Sequence, residues 1–245
     1  KNLNFSYDKD LPLIFKDVSF CIEAGKTLAI VGATGCGKTS LIELLVRIYN
    51  PPKNSIFIDD NELYRIPLEV LRRDLVLVPQ DIFLFSDTIA NNIRLGNPEQ
   101  PIDSVYEAAR IASVYDEIMD FDHQFETMVG ERGITLSGGQ KQRVAISRAL
   151  LTNPQVLILD DALSAVDTKT ERQILERLIQ ARAGKTTIII AHRISSIQHA
   201  DRIIVLENKV IKERGNHNSL LRAGGIYRDL FEKQRIRARL EEEEA

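Results

Sequence analysis

"TLAIVGATGCGKTSLIELL", residues 27–45, is the stretch on which the fold turns. Thr27–Val31 is an apolar run of strand length. Glycines then interrupt it, and from Lys38 onward Leu41, Ile42, Leu44 and Leu45 return at helical spacing. A strand that breaks into a glycine-rich turn and re-emerges as a helix gathers backbone N–H groups and a helix N-terminus at one point, which is what a phosphate needs. The turn reads G-x-x-x-x-G-K-T, the phosphate-binding loop pattern. Gly32, Gly35 and Gly37 let the backbone approach phosphate oxygens without side-chain clash. Lys38 is placed to neutralise the β- and γ-phosphates and the Thr39 hydroxyl to ligate Mg²⁺. Thr34, Cys36 and Ser40 complete the expected nucleotide-binding set, with Mg²⁺ the expected ion.

Outward from this loop, apolar runs predict strands at Ser55–Ile58, Leu75–Val78, Val156–Asp160, Thr186–Ala191 and Arg202–Leu206. Helical spacing predicts helices near Ile102–Val114, Gly139–Leu151, Thr170–Ala181 and Ile226–Leu240. The run before Ala24-Gly25-Lys26 and the run after it read as a hairpin. Alternating strands and helices argue for an α/β core with a mainly parallel sheet, preceded by an N-terminal antiparallel β part. Residues 82–150 lack a convincing strand and read as an inserted helical lobe. Residues 1–81 and 151–245 would then form the nucleotide-binding core, within one domain spanning 1–245.

Composition narrows the function. The chain has 245 residues, 44% hydrophobic and 27% charged, enough for one sizeable domain. A net charge of −3 gives no positive footprint for phosphate-tracking surfaces, so no nucleic-acid partner is expected. Two cysteines, Cys21 and Cys36, cannot make a disulfide framework and suit a reducing compartment. No apolar run approaches the roughly 18 residues of a membrane span. The sequence opens on Lys1 inside what reads as a strand, so a fragment of a longer chain is expected.

"VLILDDALSAVD", residues 156–167, ends a second buried strand on two carboxylates, Asp160 and Asp161. In a phosphate-loop fold, an acidic residue ending a neighbouring strand holds Mg²⁺ through water, and Asp160 takes that place. "LSGGQ", Leu136–Gln140, stands before a helical run. Ser137 reads as its N-cap, and Gly138 and Gly139 leave N–H groups open at the helix start, a second phosphate-binding device in the helical lobe.

These motifs, followed by "IIIAHR", stand in the order of an ATP-binding cassette ATPase domain, and the chain resembles that family over essentially its whole length. The resemblance implies that two cassettes join head to tail, with each ATP between one phosphate loop and the other cassette's signature. Ser137, Gly138, Gly139 and Gln140 would then serve the partner's nucleotide, with Asp167 of the interface loop "SAVD". Tyr7 resembles the aromatic that stacks on adenine. Gln80 resembles the glutamine at the Mg²⁺ and the attacking water, and His192 the histidine at the γ-phosphate. "FLFSDTIANNIRLGNP" and "VGERG" resemble segments with which exporter cassettes touch their membrane domains. An exporter is therefore implied, with its transmembrane domain N-terminal to Lys1 and this chain at the cytoplasmic face.

One position departs from the family pattern. A glutamate that polarises the attacking water usually follows the Mg²⁺-linked aspartate, and here it is Asp161. Asp is one methylene shorter, about 1–1.5 Å, and a misplacement of about 1 Å can cost on the order of 10²-fold in rate. An intact signature beside a shortened base is the pattern of one half of a heterodimeric multidrug exporter. The alternatives are a homodimer that works with Asp161 and a non-hydrolysing ATP-dependent clamp.

Overall fold

The computed structural model describes residues 1–130 and 136–243. Strands β1 (Leu3–Phe5), β2 (Phe15–Val18) and β3 (Thr27–Val31) lead into α1 (Lys38–Leu45). β4 (Phe57–Ile58), β5 (Asn61–Glu62), α2 (Leu68–Asp74) and β6 (Leu75–Val78) follow. Then come α3 (Ile89–Arg94), α4 (Ile102–Ile111), α5 (Tyr115–Met119) and α6 (Gly138–Leu151). β7 (Val156–Asp160), α7 (Thr168–Ala181), β8 (Thr186–Ile190), β9 (Arg202–Glu207), β10 (Val210–Gly215), α8 (His217–Ala223) and α9 (Ile226–Glu243) close the chain. The fold is α/β, with mainly parallel pairing in its central sheet and separate antiparallel β parts, as the sequence predicts.

Two compact units divide the chain. The first joins Lys1–Arg72 to Thr186–Ala245. Its central strand is β3, parallel to β8 on one side and β9 on the other, with β10 antiparallel beyond β9. Leu28, Ala29, Ile30 and Val31 are all buried, the continuous apolar run expected of a parallel strand covered on both faces. β10 is an edge strand that the sequence reading passes over. It returns from β9 through Asn208-Lys209, both at positive φ (51° and 70°), the two-residue turn that suits a right-handed hairpin.

The expected hairpin across Ala24-Gly25-Lys26 does not form. β2 pairs with β1, and β3 lies in the central sheet between β8 and β9. Both edges of a buried central strand are taken by its neighbours, so a local partner has no edge to pair with.

The second unit is Arg73–Lys185. It contains the parallel pair β6–β7 and the helices α3–α7. Among its described residues, those between 82 and 150 form helices and short turns, joined by one isolated bridge, Thr88↔Met128. Helix α6 is the axis of this part, with Val144 and Ile146 fully buried. Among the described residues no helix is long and apolar enough to cross a membrane.

Candidate functional site

In the first unit the phosphate-loop sequence forms the connection between β3 and α1. Gly37 caps α1 at φ 105°, a conformation that favours glycine, and a Cβ there would lie 2.9 Å from the Phe15 ring. Gly32 is required by proximity: a Cβ would sit 2.2 Å from the Leu206 carbonyl oxygen and 2.7 Å from Cys36 Sγ. Lys38 is buried, and its Nζ donates to the carbonyls of Gly32 (2.8 Å) and Ala33 (3.1 Å), with Cys36 Sγ at 3.8 Å. The loop therefore curls around its own ammonium. Thr34, Gly35 and Thr39 are exposed, Cys36 is half-buried and Ser40 is buried.

Ser40 and Glu43 hold Tyr7. The phenol oxygen lies 2.7 Å from Ser40 Oγ and 2.6 Å from Glu43 Oε2. With one proton to give, the phenol donates to the carboxylate and accepts from the serine. Burial and then the Glu43 carboxylate push the Tyr7 pKa up, while Ser40 opposes them. The Tyr7 ring is 40% exposed and makes edge contacts with Phe5 and Tyr49. The expected adenine platform is thus tied to the helix that follows the phosphate loop.

Register places His192. Ile30 of β3 stands opposite Ile190 of β8, so Gly32, one residue past β3, and exposed His192, two residues past β8, both follow the carboxyl edge of these parallel strands. Ligands of open α/β sheets bind at that edge.

In the second unit the same holds for β6 and β7. Val78 faces Leu159, so Gln80, two residues past β6, and Asp160 and Asp161, at and just past the end of β7, follow the carboxyl ends of this parallel pair. Gln80 is exposed, while Asp160 and Asp161 are half-buried. Asp161 adopts φ 47°, the left-handed region that aspartate enters more readily than most residues, and the Ser164 N–H closes a turn onto its carbonyl at 3.1 Å.

The signature forms the capped helix start that its sequence predicts. Ser137 Oγ accepts from Gln140 N (3.2 Å), and Gln140 Oε1 accepts from Ser137 N (2.9 Å), a reciprocal capping box. The other end of the Gln140 amide donates to Glu117 Oε2 at 3.0 Å. Buried Arg143 grips the same carboxylate through two bonds, 2.5 Å and 2.8 Å. Burial pushes the Glu117 carboxyl up, but Arg143 and then Gln140 hold it below the usual range on balance. Gln142, also buried, donates to Ser164 Oγ (3.0 Å) and accepts from Ala165 N (2.9 Å), fastening the signature helix to "SAVD". A Cβ on Gly139 would lie 3.0 Å from the Ala165 carbonyl. Asp167 ends this loop by capping α7 through Thr170 N (2.9 Å).

Nearby in sequence, Phe83 and Phe85 are half-exposed and meet edge-on at 4.9 Å. Fully buried Asn92 holds their loop, exchanging hydrogen bonds with the Phe85 backbone in both directions at 2.9 Å. Arg148 of α6 donates to the carbonyls of Asn92 (2.7 Å) and Phe83 (3.1 Å). Of the second expected contact segment, "VGERG", residues 131–133 lie outside the described residues.

A profile of the ABC transporter family matches residues 15–164. The chain belongs to that family. It is an ATPase domain of the ABC transporters, and similar chains extend the match past residue 164. Human "ATP-binding cassette sub-family B member 6" is 44% identical over 234 residues, which cover 96% of this chain and 28% of that protein. "Multidrug resistance-like ATP-binding protein MdlA" of Escherichia coli K12 is 44% identical over 238 residues, covering 97% of this chain and 40% of MdlA. The solved structure of a bacterial Atm1-family ABC exporter with ATP bound matches this chain with a TM-score of 0.91 at 42% identity. The alignment covers 95% of this chain and 41% of that one. The chain thus spans less than half the length of these relatives.

Glu43, Glu117, Gln142 and Asn92 are the contributors that motif reading overlooks. Each acts on residues 7 to 36 positions away in sequence, so no local pattern marks it.

Proposed function

We propose that this chain is the ATP-hydrolysing domain of a membrane exporter. It works against a second, non-identical cassette at the cytoplasmic face, and its own phosphate-loop site turns over slowly. One contrast carries the reading. The signature is capped, braced by Glu117 and fastened through Gln142, whereas the position that follows Asp160 holds Asp161 in place of the family's glutamate. Relatives such as MdlA are named for multidrug resistance, which supports an exporter with a transmembrane domain preceding this one. No role with nucleic acid is proposed for a chain of net charge −3.

In this reading Tyr7 stacks on adenine, and the loop from Gly32 to Ser40 wraps the phosphates. Lys38 turns its ammonium from the Gly32 and Ala33 carbonyls to the β- and γ-phosphates, exchanging dipoles for charges. His192 donates to the γ-phosphate. Gln80 orients a water whose oxygen bonds to phosphorus as the bond to the ADP oxygen breaks, and Asp161 is the acceptor for its proton. General-base reach is geometric before it is a question of acidity, and the short Asp161 side chain reaches poorly.

Thr39, Gln80 and Asp160 would hold Mg²⁺, which supplies neutralisation of phosphate charge. They are hard oxygen donors with one carboxylate among them. No cluster of three or more His, Cys, Asp or Glu able to hold a metal occurs among the described residues. A sparse oxygen set suits Mg²⁺, which takes most of its ligands from substrate phosphates and water. Ser137 keeps its hydroxyl proton while accepting from Gln140 N, so it is free to donate to the partner's γ-phosphate beside the Gly138 and Gly139 N–H groups. Gln140 and Asp167 set the shape of that interface.

The test is ATP hydrolysis by the full-length protein assembled with its partner, with nucleotide retention measured at each site. Asp160→Asn should weaken MgATP retention at this chain's loop. Asp161→Asn should leave retention intact and reduce turnover less than loss of the partner's glutamate does. If Asp161→Asn abolishes turnover as fully, Asp161 is a working base and the slow-site reading fails. If the assembled protein retains ATP without turning it over, the chain is a clamp.

A further inference from the structure

Gln234, a half-buried residue of α9, holds the backbone on both sides of Arg193. Its Nε2 donates to the His192 carbonyl at 2.6 Å, and its Oε1 accepts from Ile194 N at 2.8 Å. One planar amide thus satisfies a C=O and an N–H two residues apart, as a neighbouring strand would. Ile194 opens a short 3₁₀ turn, Ile194–Ser196, so its N–H is one that the turn itself cannot satisfy. Ile194, Ser196 and Ile197 are buried beneath the turn, whereas His192 is exposed. The grip therefore falls where the chain passes from a fixed segment to an exposed imidazole.

The other end of α9 is itself anchored. Glu213 of β10 accepts from Ile226 N (2.6 Å) and Tyr227 N (3.0 Å), and a Cβ on Gly225 would strike that carboxylate at 2.0 Å. Tyr227 is fully buried, with its hydroxyl 2.8 Å from His217 Nδ1. From Tyr227 the helix rises about 10 Å to Gln234. β8 thus fixes the chain before His192, and α9, seated on β10, fixes it after.

We propose that Gln234 is a positioning residue for His192: its amide sets the backbone from which the imidazole reaches the γ-phosphate, and so links the seat of α9 to the discrimination of ATP from ADP. This rests on the assignment of His192 to the γ-phosphate. Gln234 acts on the choice between nucleotide states rather than on affinity in general. ADP lacks the group that His192 contacts, so a displaced histidine should weaken ATP and spare ADP.

The experiment measures equilibrium binding of ATP and ADP at this chain's site, in the full-length protein assembled with its partner. The partner's phosphate-loop lysine is replaced so that one site reports, and thermal unfolding is followed in parallel. The variants are Gln234→Ala, Gln234→Glu, His192→Ala and the double Gln234→Ala/His192→Ala. Gln234→Glu keeps the shape and the acceptor for Ile194 N but sets a carboxylate oxygen against the His192 carbonyl. It should fold like the parent while still losing the grip.

Both Gln234 variants should weaken ATP about fivefold to tenfold, the loss of one hydrogen bond's worth of positioning, with ADP unchanged. Gln234→Ala should add nothing in the His192→Ala background, because residues acting through one group are not additive. Suppose His192→Ala shifts the ATP-to-ADP ratio but the Gln234 variants do not, or they weaken both nucleotides equally. Gln234 is then only a helix anchor and the inference falls, while the function stands. If His192→Ala leaves the ratio unchanged, the assignment of His192 fails and the inference with it.

Discussion

Replacing Glu117 with glutamine separates the brace of the signature from its cap. The carboxylate offers one oxygen to Arg143 Nη1 and the other to both Arg143 Nη2 and Gln140 Nε2. An amide offers a single oxygen. If that oxygen keeps Gln140 and Nη2, its NH₂ must face Nη1, which keeps its bond to the Ser113 carbonyl (2.8 Å) but is left with one unpaired N–H on an arginine side chain only 9% exposed. A stranded buried N–H costs about 1–3 kcal/mol, and the Gln140 bond, whose only charged partner was the carboxylate, loses its charge assistance, worth about 1 kcal/mol more. Glu117 is itself 44% exposed, so solvent screening trims the sum to about 2 kcal/mol. For a chain of this size that lowers Tm by roughly 4–8 °C.

The dependence on pH has a definite sign. The folded carboxyl lies below its unfolded value of 4.5, so its contribution is present above that pH and lost as pH falls through the folded value. The gap in Tm between wild type and Glu117→Gln should therefore be full at pH 7 and close on acidification below about 4.5. Thermal unfolding by circular dichroism reads both quantities, and ATP hydrolysis by the assembled protein reads the loss of a well-aimed signature. A Tm within about 1 °C of wild type at pH 7 would refute the bracing role, since it corresponds to well under 1 kcal/mol.

Tyr7→Ala should weaken ATP binding by roughly 1–3 kcal/mol, the worth of a base stacked on an aromatic ring, as read by calorimetric titration. Tyr7→Phe should lose far less, because it keeps the ring and gives up only the link to Ser40 and Glu43. Gly32→Ala should abolish nucleotide binding and lower the yield of folded protein, because a Cβ at 2.2 Å from the Leu206 backbone oxygen must displace either the loop or β9. Maleimide should label Cys36 more slowly in the presence of MgATP than in its absence, measured by mass spectrometry. Equal rates would place that thiol away from the phosphates.

Local chemistry made much of this molecule readable in advance. β6 and β7 occur at their predicted bounds, Leu75–Val78 and Val156–Asp160, because unbroken apolar runs of strand length have few other homes. The Ser137–Gln140 cap is legible for the same reason: capping is a contract between residues three apart. The hairpin at Ala24-Gly25-Lys26 misled because the turn residues are present while the pairing partner is not. Which strand neighbours β3 is settled by β8 and β9, more than 150 residues away in the sequence. β10 escaped notice since an edge strand such as Val210–Gly215 alternates too weakly to stand out, although its Asn208-Lys209 turn left a signal. The braces at Glu117, Gln142 and Gln234 are long-range partners of ordinary polar type, and only the folded chain reveals what they hold.

Arg148 sits on the same helix as the signature and grips the loop that displays Phe83 and Phe85. From Gly138 to Arg148 that helix rises about 15 Å, all of it continuous. A rod behaves differently from a chain of loops: it converts a push at one end into travel or tilt at the other, with little lost to slack. Whatever leans on the Phe83–Phe85 knuckle therefore leans, at one helix length's remove, on Ser137. Such a stroke needs no segment to fold or unfold, so its tempo would be that of rigid-body motion, microseconds to milliseconds.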